Sequence, residues 1–81
     1  MSSDKKQKKD AINKIIGDNL KLIRMSRGLT QGDMAIFYNC NQSHFSKLER
    51  GETNFCVKDL WDFCEKLNLD PMKILTKNNP F

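Results

Sequence analysis

Apolar side chains recur every three or four residues along most of the chain, which is the period of one face of an α-helix. The stripes occupy Ile12 to Ile23, then residues 34–38, 45–48, 57–67 and 74–75. No segment shows the two-residue alternation that is typical of a half-buried strand. The pattern predicts an all-α domain of five helices.

Polar residues and glycines separate the stripes at positions that favour helix ends. Gly28 suits the left-handed residue that follows a helix. Thr30 is predicted to cap the next helix, and Asp33, three residues later, completes a weak capping box. The other predicted boundaries are stops at Asn39, Gly51 and Asn68 and starts at Asn41 and Asp70, the latter followed by a proline. The short connections predict a compact domain.

The basic residues are unevenly placed along the chain. The whole sequence has 81 residues and a formal net charge of +4, which is typical of one small, mildly basic domain. Residues 1–10 contain four lysines, two aspartates and no apolar side chain after Met1. They are predicted to form a disordered basic arm that either is merely solvated or contacts nucleic acid. Residues 11–76 are predicted to form the domain, and residues 77–81 a C-terminal tail.

Several classes of protein are disfavoured by the sequence. No apolar run approaches the roughly 18 residues of a membrane span, and no apolar segment follows the N-terminal lysines as in a secretory signal. The three cysteines match no disulfide framework and favour a cytoplasmic protein with reduced thiols. The residues that could together ligate zinc are Cys40, His44, Cys56 and Cys64. They include no C-x-x-C pair, and Cys40 and Cys64 occupy apolar positions of the helical pattern, so a zinc site is disfavoured. We therefore expect no metal, no cofactor and no enzymatic activity.

Residues 30–51 have the features of a helix-turn-helix. Ala35 is the small residue that a close approach of two helices requires, and Asn39 is a turn residue four positions later. Phe45 and Leu48 are predicted to face inward on the second helix. Its outward face then displays Gln42, Ser43, His44, Ser46, Lys47 and Arg50. This face is polar and rich in hydrogen-bond donors, which suits the major groove of DNA.

Residues 16–75 resemble the phage-repressor and Cro-like helix-turn-helix domains, also called XRE-type. The shared motifs are Met34-Ala35 and, on either side of it, the segments RGLTQ at 27–31 and KLERGE at 47–52. The resemblance implies a lambda-repressor-like five-helix fold and binding of operator DNA. It also implies a homodimer that regulates transcription by placing helix 3, about residues 42–50, in the major groove of a palindromic operator.

The resemblance also implies roles for individual residues. The expected base contacts are Gln42, Ser43 and Lys47. The resemblance implies contacts to the DNA backbone for Gln31 and for Arg50 or the loop after it, and we also assign Ser46 and Thr53 to such contacts. His44 is expected either to contact the DNA backbone or simply to be exposed. Arg24 and Glu49 are expected to form an ion pair between helix 1 and the end of helix 3.

The sequence departs from the family pattern at two adjacent positions. Ile36 and Phe37 stand where polar residues are usual. They either pack under the N-terminal turn at 11–15 or belong, with Trp61 and Met72, to a surface for a protein partner. The second interpretation corresponds to an alternative function, that of a protein-interaction module such as an antitoxin. Salt-dependent DNA binding distinguishes a regulator from such a module.

Overall fold

The structure is a computed structural model that describes the backbone of residues 2–76 and the side chains of residues 11–76. Its helices are α1 (Ser2–Ser26), α2 (Gln31–Phe37), α3 (Gln42–Glu49), α4 (Val57–Leu67) and α5 (Pro71–Ile74). All regular structure in these residues is helical, so the predicted five-helix, all-α fold is confirmed. The predicted tail at 77–81 lies outside the described residues.

Helix α1 differs from the prediction at its N-terminal end. A disordered arm was expected for residues 1–10, whereas the structure has helical backbone from Ser2 onward. That prediction rested only on the absence of apolar side chains that residues 1–10 could bury. The segment also contains no proline or glycine, and lysine and glutamine have good helix propensity. It can therefore extend a helix whose nucleation is assisted by packed residues further along the chain.

The helix ends follow the predicted capping residues closely. The Asp33 amide donates to Thr30 Oγ1 and the Thr30 amide donates to Asp33 Oδ2, both at 3.0 Å. The hydrogen bond from the Thr30 backbone lowers the pKa of the Asp33 carboxyl. Asn41 caps α3 by accepting from the His44 amide at 2.7 Å. Within residues 2–76, positive φ occurs at Gly28, Asn39, Gly51 and Asn68, which are the four predicted stops.

The core lies between all five helices. Its buried apolar residues are Ile16, Leu20, Ile23, Met34, Ala35, Tyr38, Phe45, Leu48, Leu60, Phe63, Cys64, Leu67 and Ile74. The ring of Tyr38 packs against Phe45 and Phe63, with centroids 5.9 and 5.1 Å away. Cys64 is fully buried, and burial raises the pKa of its thiol to about 11. Cys64 therefore acts as a small apolar core residue, as its position in the helical pattern predicted.

Gly17 sets how closely α1 approaches α3. A Cβ at this position would lie 2.5 Å from the carbonyl oxygen of Leu48 and 2.6 Å from that of Glu49. Only hydrogen fits there, so the backbone of α1 rests directly on the last turn of α3. No role was predicted for Gly17, although this contact fixes the orientation of α3 against the rest of the domain.

Two asparagines of α1 make polar contacts that the sequence pattern did not predict. Asn19 is buried and its Nδ2 donates to the carbonyl oxygens of Ile74, at 2.6 Å, and Thr76, at 3.0 Å. Asn13 donates to Asn54 Oδ1 at 3.1 Å. These bonds hold the end of α5 and the loop after α3 against α1.

Candidate nucleic-acid interface

A short turn fixes α2 and α3 relative to each other. Asn39 adopts φ 58°, and the Cys40 amide donates to the Ala35 carbonyl at 3.0 Å, which closes the end of α2. Asn41 then begins α3 by capping it. Ala35, the small residue that a close approach of two helices requires, is buried. The geometry is that of two short helices joined by a rigid turn.

Helix α3 has one buried side and one exposed side. Phe45, Leu48 and Glu49 are buried. The exposed side presents Gln42, Ser43, His44, Lys47 and the following Arg50, with Ser46 half-buried beside them. The only carboxylate of α3 is that of Glu49, and it points away from this side. The exposed side chains of α3 therefore offer donors and no carboxylate, while the exposed Glu52 beyond the helix pairs with Arg50.

The buried carboxylate of Glu49 connects three helices. Its Oε2 accepts from Arg24 Nε at 2.7 Å, and its Oε1 accepts from Arg24 Nη2 at 3.4 Å. The ion pair that the resemblance implied is therefore present, with the Glu49 side chain 4% and the Arg24 side chain 19% exposed. Glu49 Oε1 also accepts from Gln31 Nε2 at 3.1 Å, a contact that was not predicted. Glu49 thus positions Gln31, the first residue of α2, from the last turn of α3.

The start of α2 and the exposed side of α3 meet in one groove. This groove has a volume of about 410 Å³ and is lined by Gln31, Gln42, Ser43, Ser46 and Arg50. It brings together two of the predicted base contacts and three of the predicted backbone contacts. Lys47 and His44 lie on α3 outside the groove lining, and Thr53 is half-buried in the loop after α3.

A second groove lies beside the first, between α1 and the end of α3. Its volume is about 440 Å³. The charged residues that line it are of both signs, with Lys14, Lys21, Arg24 and Arg50 beside Asp18, Glu49 and Glu52. Lys14 pairs with Asp18 at 3.1 Å. Lys14 and Lys21 were not among the predicted site residues, although they are seven residues apart and so share one helix face.

Arg50 and Ser46 are already engaged with neighbouring side chains. Arg50 Nε donates to Glu52 Oε2 at 2.9 Å and Arg50 Nη2 donates to Glu52 Oε1 at 3.2 Å. Arg50 Nη1 donates to Ser46 Oγ at 2.6 Å. The hydrogen bond from Arg50 lowers the pKa of the Glu52 carboxyl. Glu52 was not among the predicted site residues, although it ends the quoted KLERGE motif.

Of the two alternatives for Ile36, packing under the N-terminal turn is wrong. Ile36 is 76% exposed, because α2 packs on α3 through its opposite side. The turn at 11–15 instead approaches the end of α3, where a Cβ on Gly51 would lie 3.0 Å from the Cα of Lys14. Phe37 is half-buried against the core, and its carbonyl accepts from Lys66 Nζ at 3.1 Å. Trp61 and Met72 are exposed on α4 and α5.

The described residues lack two other kinds of feature. They contain no group of three or more His, Cys, Asp or Glu side chains arranged to hold a metal ion. In the part of the chain that the structure describes, no helix is long and apolar enough to cross a membrane.

Comparison with known proteins identifies the family. A family model described as a helix-turn-helix domain matches residues 15–73, which include α2, the turn and α3. The chain belongs to this helix-turn-helix family. The resemblance indicated by the RGLTQ and KLERGE motifs is confirmed by this match.

Related proteins show how widely this helix-turn-helix fold is shared. The chain is 29% identical over 65 residues to the uncharacterized HTH-type transcriptional regulator y4dJ of Sinorhizobium fredii, covering 80% of this chain and 84% of the relative. The restriction-modification controller protein C.AhdI from Aeromonas hydrophila superposes with a TM-score of 0.72 at 23% identity, over 80% of this chain and 94% of that one. An HTH_3 family transcriptional regulator from Vibrio cholerae gives a TM-score of 0.75 at 25% identity, over 89% of this chain and 40% of that one.

Proposed function

We propose that this helix-turn-helix protein is a sequence-specific DNA-binding transcriptional regulator that places α3 in the major groove. The observation that supports this most directly is the exposed face of α3, which presents amide, hydroxyl and basic side chains while its one carboxylate is buried. In the major groove each base pair offers a distinct pattern of acceptors and donors to such a face. In this proposal the protein is a regulator and not an enzyme, and it acts on DNA in the cytoplasm.

In this proposal the first turn of α3 reads bases. Gln42 has an amide that can both donate to and accept from the edge of an adenine. Ser43 next to it can contact any base, and Lys47, one turn later, suits the acceptors of guanine. All three side chains are exposed and belong to a helix that is capped at Asn41, so a rigid backbone presents them.

Other side chains position the domain on the sugar-phosphate backbone. Gln31 begins α2 and is held by Glu49, and Ser46 and Arg50 line the same groove. His44 and Thr53 are assigned to flanking phosphates in the same proposal. Such contacts fix the register of α3 without reading sequence.

A homodimer is part of the proposal because a single α3 of eight residues can reach only a few base pairs. Two copies related by a two-fold axis would place their α3 helices in successive major grooves, about 34 Å apart, on a palindromic operator. Binding near a promoter would then repress transcription by occlusion or activate it by contact with polymerase.

Selection from a random pool of DNA duplexes tests this function. The proposal predicts that the purified protein enriches one motif with two-fold symmetry and that its affinity falls as salt rises. Recovery of no motif at any salt concentration would contradict it.

The exposed side chain of Ile36 favours a second candidate function. An apolar residue that is 76% exposed on α2 is suited to a protein partner, as in an interaction module of the same fold. Copurification of an unrelated protein that contacts Ile36, together with an absence of DNA affinity, would support this module and exclude the regulator.

A further inference from the structure

The Nε and Nη2 edge of the Arg50 guanidinium, which is suited to bidentate binding of an anion, is occupied by the Glu52 carboxylate. We propose that Glu52 is an intramolecular competitor of DNA phosphate for Arg50 and thereby lowers the affinity of the protein for all DNA. This inference rests on the proposed function, in which Arg50 contacts the DNA backbone.

The geometry of the pair is that of phosphate recognition. Glu52 accepts two parallel bonds from Arg50, at 2.9 Å from Nε and 3.2 Å from Nη2. This is the planar fork with which arginine binds carboxylate or phosphate in a bidentate manner. The remaining nitrogen, Nη1, donates to Ser46 Oγ at 2.6 Å. A phosphate that uses the fork must therefore displace the Glu52 carboxylate.

The exposure of the pair makes this displacement feasible. The side chains of Arg50 and Glu52 are 53% and 54% exposed, so their attraction is weakened by water and salt. DNA additionally gains from the release of condensed counterions when a cation neutralises a phosphate. The exchange is thus close to balanced, and the carboxylate reduces DNA affinity without abolishing binding.

Glu49 shows the contrasting arrangement. Its carboxylate is buried and accepts from both Arg24 and Gln31, so its removal would disturb three helices. In the described residues, the side chain of Glu52 accepts hydrogen bonds from Arg50 alone, so its removal leaves the three helices connected. Of the two carboxylates, Glu52 is the one that can leave its partner without cost to the fold.

The backbone keeps Glu52 within reach of Arg50. Gly51 adopts φ 72°, which turns the chain back over the end of α3. The Glu52 amide then donates to the Lys47 carbonyl at 2.9 Å. The charge of Lys47 adds to the effect of Arg50 in lowering the pKa of Glu52, which places the carboxylate close to two proposed DNA contacts.

The test compares the wild type, Glu52→Gln and Asp62→Asn in titrations of two DNA duplexes over a range of salt. One duplex carries the selected operator and the other has an unrelated sequence. Asp62→Asn is the matched control because it removes one exposed negative charge from α4, away from both grooves. Glu52→Gln is expected to bind both duplexes about two- to fivefold more tightly than the wild type, with a salt slope steeper by up to about 0.9. Asp62→Asn is expected to change affinity less than twofold, roughly the effect of a remote charge.

A double-mutant cycle with Arg50→Gln isolates the pair. In the Arg50→Gln background, Glu52→Gln is expected to give no gain beyond that of Asp62→Asn. The competitor proposal is overturned if Glu52→Gln weakens binding, if its gain equals that of Asp62→Asn, or if the gain persists without Arg50. Failure of the wild type and of every variant to bind either duplex would instead refute the proposed function, and the inference with it. Circular dichroism of each variant establishes that its helical content is unchanged.

Discussion

The Nε of Arg24 lies 2.7 Å from Oε2 of Glu49, and this pair joins the last turn of α1 to the end of α3, the helix proposed to enter DNA. Because Glu49 is buried and also accepts from Gln31, it holds the end of α3 and the start of α2 in place against α1. The pair therefore belongs to the scaffold of the interface. Its surroundings suggest a first test of stability.

Replacing Glu49 with Ala is expected to lower the free energy of unfolding by about 2–3 kcal/mol. This is somewhat less than the loss of one partner from a fully buried pair, since the Arg24 side chain retains some contact with water. Urea denaturation measures the change. Glu65→Ala is the matched control, as Glu65 is exposed on α4. Equal effects of the two substitutions would show that the Arg24–Glu49 pair contributes nothing special.

Replacing Gly17 with Ala is expected to destabilise the domain although alanine has the higher helix propensity. The propensity gain of about 1 kcal/mol is outweighed by the clash of the new Cβ with the carbonyl oxygens of Leu48 and Glu49. A net loss of at least about 1 kcal/mol follows from typical costs of overpacking.

Gly32→Ala is the control for this substitution, because a Cβ there would meet Gln42 Oε1 at an ordinary 3.5 Å. Thermal unfolding of both variants makes the comparison. A Gly17→Ala protein as stable as the Gly32→Ala protein would show that α1 and α3 can separate without cost.

Much of the local structure could be predicted from the sequence because it depends on near neighbours. The Thr30–Asp33 capping box and the left-handed Asn39 are decided within a few residues, and both occur as predicted. The extent of α1 was not predicted, because the absence of apolar side chains in residues 1–10 was given more weight than their helix propensity.

Contacts between distant segments were largely beyond the reach of the sequence pattern. In the sequence, Asn19 cannot be distinguished from other polar residues of a helix. Its role depends on the carbonyl oxygens of Ile74 and Thr76, which the fold brings against it. Gly17 lies inside the first helical stripe and at none of the predicted helix ends, so the sequence does not mark it as special. Its role depends on the path of α3. The pairing of Arg50 with Glu52 depends on the turn at Gly51, which a helical pattern does not describe.

Deleting residues 1–10 is expected to preserve the fold and to weaken DNA binding modestly. The described core begins beyond this segment, at Asn13 and Ile16, while the four lysines can release counterions from phosphate. Circular dichroism and DNA titration at low and high salt measure the two effects. A cooperative loss of structure in α2 to α5 would show that the segment supports the domain.

Self-association is expected at micromolar concentration, with Trp61 or Met72 at the contact. Both are exposed apolar residues on α4 and α5, away from the grooves of the proposed DNA interface. Sedimentation of the wild type and of Trp61→Ala checks this, and the variant should shift towards monomer. A wild-type protein that sediments as a monomer both free and on DNA would contradict the proposed homodimer.

The central claim is that α3 reads bases in the major groove, and titration of Gln42→Ala and Gln31→Ala tests it most directly. Each variant is measured against the selected operator and against single-base variants of it. Gln42→Ala is expected to lose about 1–3 kcal/mol on the operator and to lose its preference at one base pair. Gln31→Ala should weaken all duplexes by similar factors, because Gln31 is assigned to the DNA backbone. If Gln42→Ala retains every base preference of the wild type, α3 does not read the groove in the proposed way.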